Sequence, residues 1–168
     1  WVGENYYSVN RVVSIEEAGS AAIGQDASMF PGAPEHAFAP RPPFTDMGWE
    51  VFPPGITMAL QQVSDALPGV PIYVCENGAA VEENNDDDAI RDPIRTQYLH
   101  DHIAEVLRAR NGGIDVRGYN AWSLLDNLEW ASGWTKRFGI IRVNPDTGTR
   151  TPKDSAYWYR RQLARRNA

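Results

Sequence analysis

The feature that most constrains this chain is a short apolar run, Pro71-Ile72-Tyr73-Val74-Cys75, that ends in a carboxylate, Glu76. β-Branched and aromatic residues between the turn formers Pro68-Gly69 and Asn77-Gly78 predict a strand buried on both faces, as parallel strands are. Proteins built on parallel strands collect their chemistry at the strands' C-terminal ends. Glu76 stands at that end. On this stretch alone a solvated loop residue is the plainer reading, and the rest of the chain has to decide.

Three strands alternate with three helices along the sequence. Val2 to Val9 reads as the first strand, with Asn5-Tyr6-Tyr7 near its end. Residues 10–55 read as a long irregular stretch broken by Pro31, Pro34, Pro40, Pro42, Pro43, Pro53 and Pro54, and loops of that length are usually functional or disordered. Within it, Thr45-Asp46-Met47-Gly48-Trp49-Glu50 fits either a loop pinned by a buried indole or the wall of a ligand site. A helix is predicted from about Gly55 to Leu67, with Ile56, Leu60, Val63 and Leu67 on its apolar face.

After Glu76, the run from Glu82 to Asp88 reads as a solvated charged loop. It lacks the Gly and closing Glu of a calcium loop. Asp92-Pro93 marks a helix start, with Asp as cap and Pro in the first turn. Ile94, Tyr98, Ile103, Val106 and Leu107 supply its apolar face, and Asn111-Gly112-Gly113 ends it. His100 and His102, two apart, point in divergent directions on a helix and make a poor metal pair, so both read as structural. The third strand is predicted from Ile114 to Ala121 and delivers Trp122. A small hairpin around Asn144-Pro145-Asp146-Thr147 and a last helix from near Thr151-Pro152 to about Arg165 follow, with no internal repeat.

This alternation is that of an α/β protein with parallel strands. Closing a barrel takes eight strands and about 250 residues, so 168 residues read as a single incomplete domain spanning 1–168. The abrupt opening on Trp1-Val2-Gly3 reads as a cut edge. A net charge of −6 with no broad basic tract argues against nucleic acid, and no apolar run approaches the roughly 20 residues of a membrane helix. The single cysteine, Cys75, excludes an internal disulfide and predicts a cytoplasmic setting. Six Trp and seven Tyr are a heavy aromatic load, suited to stacking flat-faced ligands such as sugars and equally to core packing.

Taken together, the segments resemble glycoside hydrolase family 1, the β-glucosidase family. Gly3-Glu4-Asn5-Tyr6-Tyr7 resembles its sixth barrel strand and Thr45 to Glu50 the loop after it. Ile72 to Gly78 resembles the seventh strand with its nucleophile motif. Trp122 to Trp130 followed by Arg137-Phe138-Gly139 resembles the eighth, and Thr151-Pro152-Lys153-Asp154-Ser155 the family's terminal motif. Cys75 departs from the Thr or Ser usual there.

The resemblance implies the C-terminal part of a (β/α)8 TIM barrel, strands 6–8 with their helices, from a retaining β-glycosidase with β-glucosidase activity. Glu76 would be the nucleophile and Tyr7 its hydrogen-bond partner. Asn5 would lie near the sugar 2-hydroxyl, and Glu129 would hold two sugar hydroxyls. Trp122 would be the stacking floor, Trp130 an indole N–H donor, Phe138 a wall of the glycone pocket and Trp49 a flank of the aglycone entrance. Glu129 argues against the phospho-sugar branch, whose members usually lack it. No metal or cofactor is implied.

The acid/base motif of the family's earlier strands has no match here. The implied partners are therefore a β-glucoside or related glycoside and the N-terminal portion of the same barrel, as a separate chain. The alternative is a non-catalytic complementing or sugar-binding fragment of such a barrel.

Overall fold

The computed structural model describes residues 1–14, 16, 36–83 and 85–165. Its centre is a three-stranded parallel sheet of β1 (Val2–Asn5), β4 (Ile72–Asn77) and β5 (Val116–Ala121), in the order β1-β4-β5. β4 is the apolar run that the sequence singled out, extended by Glu76 and Asn77. Ile72 and Val74 are fully buried, as a central parallel strand requires.

Two helices cover this sheet. Helix α1 (Pro54–Ala66) begins with Pro in its first turn, where the missing N–H costs nothing. Helix α3 (Pro93–Asn111) runs from β4 back to β5 and ends on Gly112. Ile56, Leu60, Ile72, Val74, Val106, Ala109, Ile114 and Val116 close one core between helices and sheet. A second core gathers Ala79, Tyr98, Leu99 and Ile140 against Trp158 and Tyr159 of α4 (Asp154–Arg165).

Several expectations are corrected. The first strand stops at Asn5 rather than Val9. There its pairing with β4 shifts, and the next side chains turn away, Tyr6 Oη donating to Phe52 O and Ser8 Oγ to Glu50 O. The stretch 10–55 is not all irregular, because β2 (Val12–Ser14) pairs antiparallel with β3 (His36–Phe38). Pro31 and Pro34 lie outside the described residues.

The acidic run is not simply a solvated loop. Asp86–Ile90 forms a short helix, α2, and the Glu83 side chain is 8% exposed, paired with Lys153 and Arg95. Asp92 stands at the cap position of α3 but makes no cap bond. Its carboxylate accepts from the Ser155 amide and hydroxyl and pairs with Arg95. Leu67, Ile94 and Leu107, predicted on apolar faces, are exposed, while Arg95, His102 and Glu105 are buried. α3 packs against its neighbours through these polar side chains as well as through Tyr98, Leu99, Val106 and Ala109, so its buried face only partly follows its apolar residues. The predicted hairpin is present as β6 (Ile141–Val143) and β7 (Arg150–Pro152).

Both histidines serve structure. His102 is buried, stacks on Tyr98 with centroids 3.9 Å apart and donates from Nδ1 to Tyr98 O. Burial lowers its pKa to about 4. His100 pairs with Asp101 on the surface. Among the described residues, no three His, Cys, Asp or Glu groups are placed to hold a metal ion.

Candidate active site

The pairing of β4 with β1 is regular through Val74, that with β5 already shifts once between Ile72 and Tyr73, and both change register again after Val74. Past the shift, Glu76, half-buried, still pairs with Asn5 of β1 near the C-terminal end of β4. Gly78, two residues on, permits a close approach. A Cβ there would lie 1.6 Å from Trp122 O, so only glycine lets the backbone after β5 fold in beside Glu76. The Trp122 amide donates to Asn77 O at 2.8 Å, tying the two strand ends together.

Tyr7 Oη donates to Glu76 Oε2 at 2.7 Å. Burial, and then the hydrogen bond to Glu76, hold the phenol far above its ordinary pKa. The hydroxyl therefore stays protonated and remains a hydrogen-bond donor to Glu76. Behind it stands an aromatic wall. Trp49 meets Tyr7 edge-on at 5.5 Å, Phe138 meets Tyr7 edge-on at 6.1 Å, and Trp49 and Phe138 are 6.1 Å apart.

Tyr7, Trp49, Glu76, Trp122, Glu129, Trp130 and Phe138 line one open cleft of about 470 Å³, within the usual range for small-molecule sites. Seven of the eight residues implied by the resemblance thus meet in one place. Asn5 does not line the cleft. It is exposed on β1 opposite Glu76 in the ladder. Asn127 and Leu128, given no role from sequence, also line it. They lie inside the matched Trp122–Trp130 segment, which is the signal that could have found them.

The segment carrying Glu129 is held from below. Asp126, buried, accepts from the Gly139 amide at 3.0 Å and the Val143 amide at 3.2 Å and pairs with Lys153. Asn127 Nδ2 donates to Ser123 Oγ, and the Glu129 amide donates to Gly133 O at 2.7 Å. The Trp122–Ser123 peptide bond is cis. Among the described residues, the Glu129 carboxylate makes no hydrogen bond or ion pair, which leaves both oxygens for a ligand.

Trp49 is half-buried rather than a fully buried pin. The buried member of its loop is Glu50, clamped by Arg11 at 2.8 Å and by the Arg41 amide, and held below the usual carboxylate range. Lys136 latches the same loop by donating to Asp46 O at 2.7 Å. Trp130 is 92% exposed at the rim, so it is no core residue here.

The model of Glycosyl hydrolase family 1 matches residues 1–168. A bifunctional β-D-glucosidase/β-D-fucosidase from Bifidobacterium breve is 41% identical over 99% of this chain and 37% of its own length. β-Glucosidase A from Thermotoga maritima is 40% identical over 95% of this chain and 33% of its own. A 6-phospho-β-galactosidase from Clostridium acetobutylicum is 34% identical over 96% of this chain.

Among solved structures, the family 1 β-glucosidase from Thermotoga maritima superimposes with a TM-score of 0.81 at 38% identity. It covers 96% of this chain and 34% of that one. Such neighbours are TIM barrels, so the α/β layers described above are part of that architecture. The chain spans about a third of the length of the curated relatives it matches. With the family model matched from end to end, the chain belongs to glycosyl hydrolase family 1.

Proposed function

We propose that this chain supplies strands six to eight of a retaining β-glycosidase barrel, with β-glucosides as substrates, and that Glu76 is the nucleophile. The observation that carries this is the Tyr7–Glu76 hydrogen bond of 2.7 Å, in a cleft shared with Glu129 and Trp122.

In this reading Glu76 attacks the anomeric carbon and forms a glycosyl ester as the aglycone oxygen departs with a proton. Water then attacks the same carbon and releases Glu76, so two inversions give net retention. Tyr7 donates to the attacking carboxyl and orients it. Glu129 takes two sugar hydroxyls, Trp122 supports the sugar's apolar face, and Trp130 donates its indole N–H from the rim. Asn5, outside the cleft lining but opposite Glu76 in the ladder, is assigned to the 2-hydroxyl in the complete barrel, while Phe138 walls the glycone pocket and Trp49 flanks the aglycone.

A retaining site needs a second carboxyl about 5–5.5 Å from the first, to protonate the leaving oxygen. No segment here matches the family's acid/base motif, so in this reading that group comes from the N-terminal portion of the barrel. Two features support this partner. Among the described residues, β1 and β5 each have an unpaired outer edge. Beside β5 an apolar groove lined by Ile103, Val106, Tyr119, Tyr159 and Leu163 also stands open. Alone, the chain is the non-catalytic complementing piece.

Hydrolysis of aryl β-glucosides by the complete barrel tests the reading. Glu129→Gln is expected to cost roughly 1.5–3 kcal/mol in kcat/KM through lost charge-assisted hydrogen bonds. The loss should shrink on substrates lacking the contacted hydroxyls. Equal losses on intact and deoxy substrates would make Glu129 structural, and a parent barrel that leaves aryl β-glucosides intact would sink the reading.

A further inference from the structure

Behind the cleft, outside the residues that touch it, lies a buried polar relay. Asn77 follows Glu76 directly and is fully buried. Its Nδ2 donates to Tyr6 O at 2.8 Å and to Tyr98 Oη at 3.2 Å. Tyr98 Oη in turn donates to Tyr7 O at 3.2 Å. Tyr119 Oη donates to Asn77 Oδ1 at 2.7 Å, which fixes the amide with its NH₂ toward β1.

These bonds fall where the backbone ladder fails. Past Val74 the register on both sides of β4 shifts, so regular strand pairing no longer fixes β1 against β4. The Tyr6 amide still reaches Glu76 O at 3.0 Å. The next two carbonyls of that chain, Tyr6 O and Tyr7 O, take their hydrogen bonds from Asn77 and Tyr98 instead. The relay thus grips the Tyr7 residue from both flanking peptide units, and its root is the residue bonded to Glu76. The two groups whose separation is 2.7 Å are each one residue or less from an anchor of the same network.

We infer that Asn77 and Tyr98 are positioning residues for the nucleophile: they set the Tyr7 hydroxyl against the Glu76 carboxylate, with Tyr119 orienting the Asn77 amide. Tyr98 acts from α3, outside the sheet, and its ring is held by the stacked His102. Loss of its hydroxyl frees Tyr7 O without removing any group that meets the sugar. The inference rests on the reading of Glu76 as nucleophile.

The test uses the complete barrel and a 2-deoxy-2-fluoro-β-glucoside with a good leaving group. Label incorporated per barrel counts folded sites, while the rate constant of incorporation reports how well each folded site is aligned. A role in stability alone lowers the first and leaves the second. Tyr98→Phe is expected to reach the parent's label on Glu76 at full folding, with a rate constant about tenfold lower or less, since small misplacements at a reacting centre are costly. Thr57→Val is the control. It deletes a hydroxyl whose hydrogen bonds go to Glu105 across α1 and α3 and to no member of the relay, and should label at the parent's rate.

A Tyr98→Phe rate equal to the parent's would overturn the inference. If Tyr98→Phe does not fold, Tyr119→Phe carries the same test through the released Asn77 amide, with the same two outcomes. A parent that takes no label on Glu76 overturns the nucleophile reading and this inference with it, whereas equal rates overturn this inference alone.

Discussion

Glu76→Ala in the complete barrel should abolish nearly all hydrolysis of β-glucosides. The expected loss is on the order of 10⁴–10⁶ in kcat, the scale on which nucleophile removal acts in covalent catalysis elsewhere. The fold should survive, because Glu76 is half-buried at the cleft and, among the described residues, its side chain has a single hydrogen-bond partner, Tyr7. Alanine also leaves a hole of carboxylate size beside the anomeric carbon. Added azide can enter it and attack an activated β-glucoside from that face, expelling the leaving group in one step. The product should be the α-glucosyl azide, inverted because the second displacement no longer occurs. Normal turnover by Glu76→Ala, or a β-configured azide product, would contradict the assignment.

Lys153→Met should be the most destabilising single change outside the site. Lys153 is fully buried, pairs with Glu83, and lies 3.2 Å from Asp126. Burial, and then the neighbouring Arg95, pull its pKa down, while Asp126 and Glu83 oppose them. Methionine keeps the volume and removes the cation that two buried carboxylates share, leaving, among the described residues, Glu83 only the longer pair with Arg95 at 3.5 Å and Asp126 only that with Arg137 at 3.7 Å. Breaking a buried pair in this way costs about 3–5 kcal/mol. Asp126 also carries the amides of Gly139 and Val143, so the damage reaches the wall that presents Phe138. Denaturant unfolding of the complete barrel measures the change. Adding Glu83→Gln and Asp126→Asn should recover much of it, because the stranded charges are then gone. A loss below about 1 kcal/mol for Lys153→Met alone would show that the carboxylates are satisfied without it.

The contrast between Glu76 and Lys153 shows what the sequence makes legible. The strand delivering Glu76 announces itself locally, through five apolar residues between two pairs of turn formers. Trp122 to Trp130 announces itself by crowding aromatic and acidic residues together. Glu83, Asp92 and Lys153 give no such signal. Each is a charged residue in a polar stretch, and solvent exposure is the ordinary expectation for it. Their burial depends on partners far along the chain, Glu83 with Lys153 and Asp92 with Ser155, which no local pattern encodes.

Helix α3 shows the same limit from the other side. Apolar spacing predicts Ile94 and Leu107 inward along with Tyr98 and Val106; the latter two are buried, but Ile94 and Leu107 are exposed and the buried face takes in Arg95, His102 and Glu105. Asn77 was legible only as a turn former after Glu76. Its anchoring of the Tyr6 carbonyl follows from a ladder that breaks one residue earlier, a feature of paired strands rather than of either sequence.

The account stands on Glu76 forming a covalent bond to the sugar, and trapping that bond is its most direct test. Fluorine at C2 destabilises the oxocarbenium-like transition states of both steps, and a good leaving group restores only the first, so the ester accumulates. Proteolysis and mass analysis of the treated complete barrel should place one fluoroglucosyl group on the peptide containing Glu76, and none in Glu76→Ala. A fluoroglucosyl group on any other residue would contradict the account.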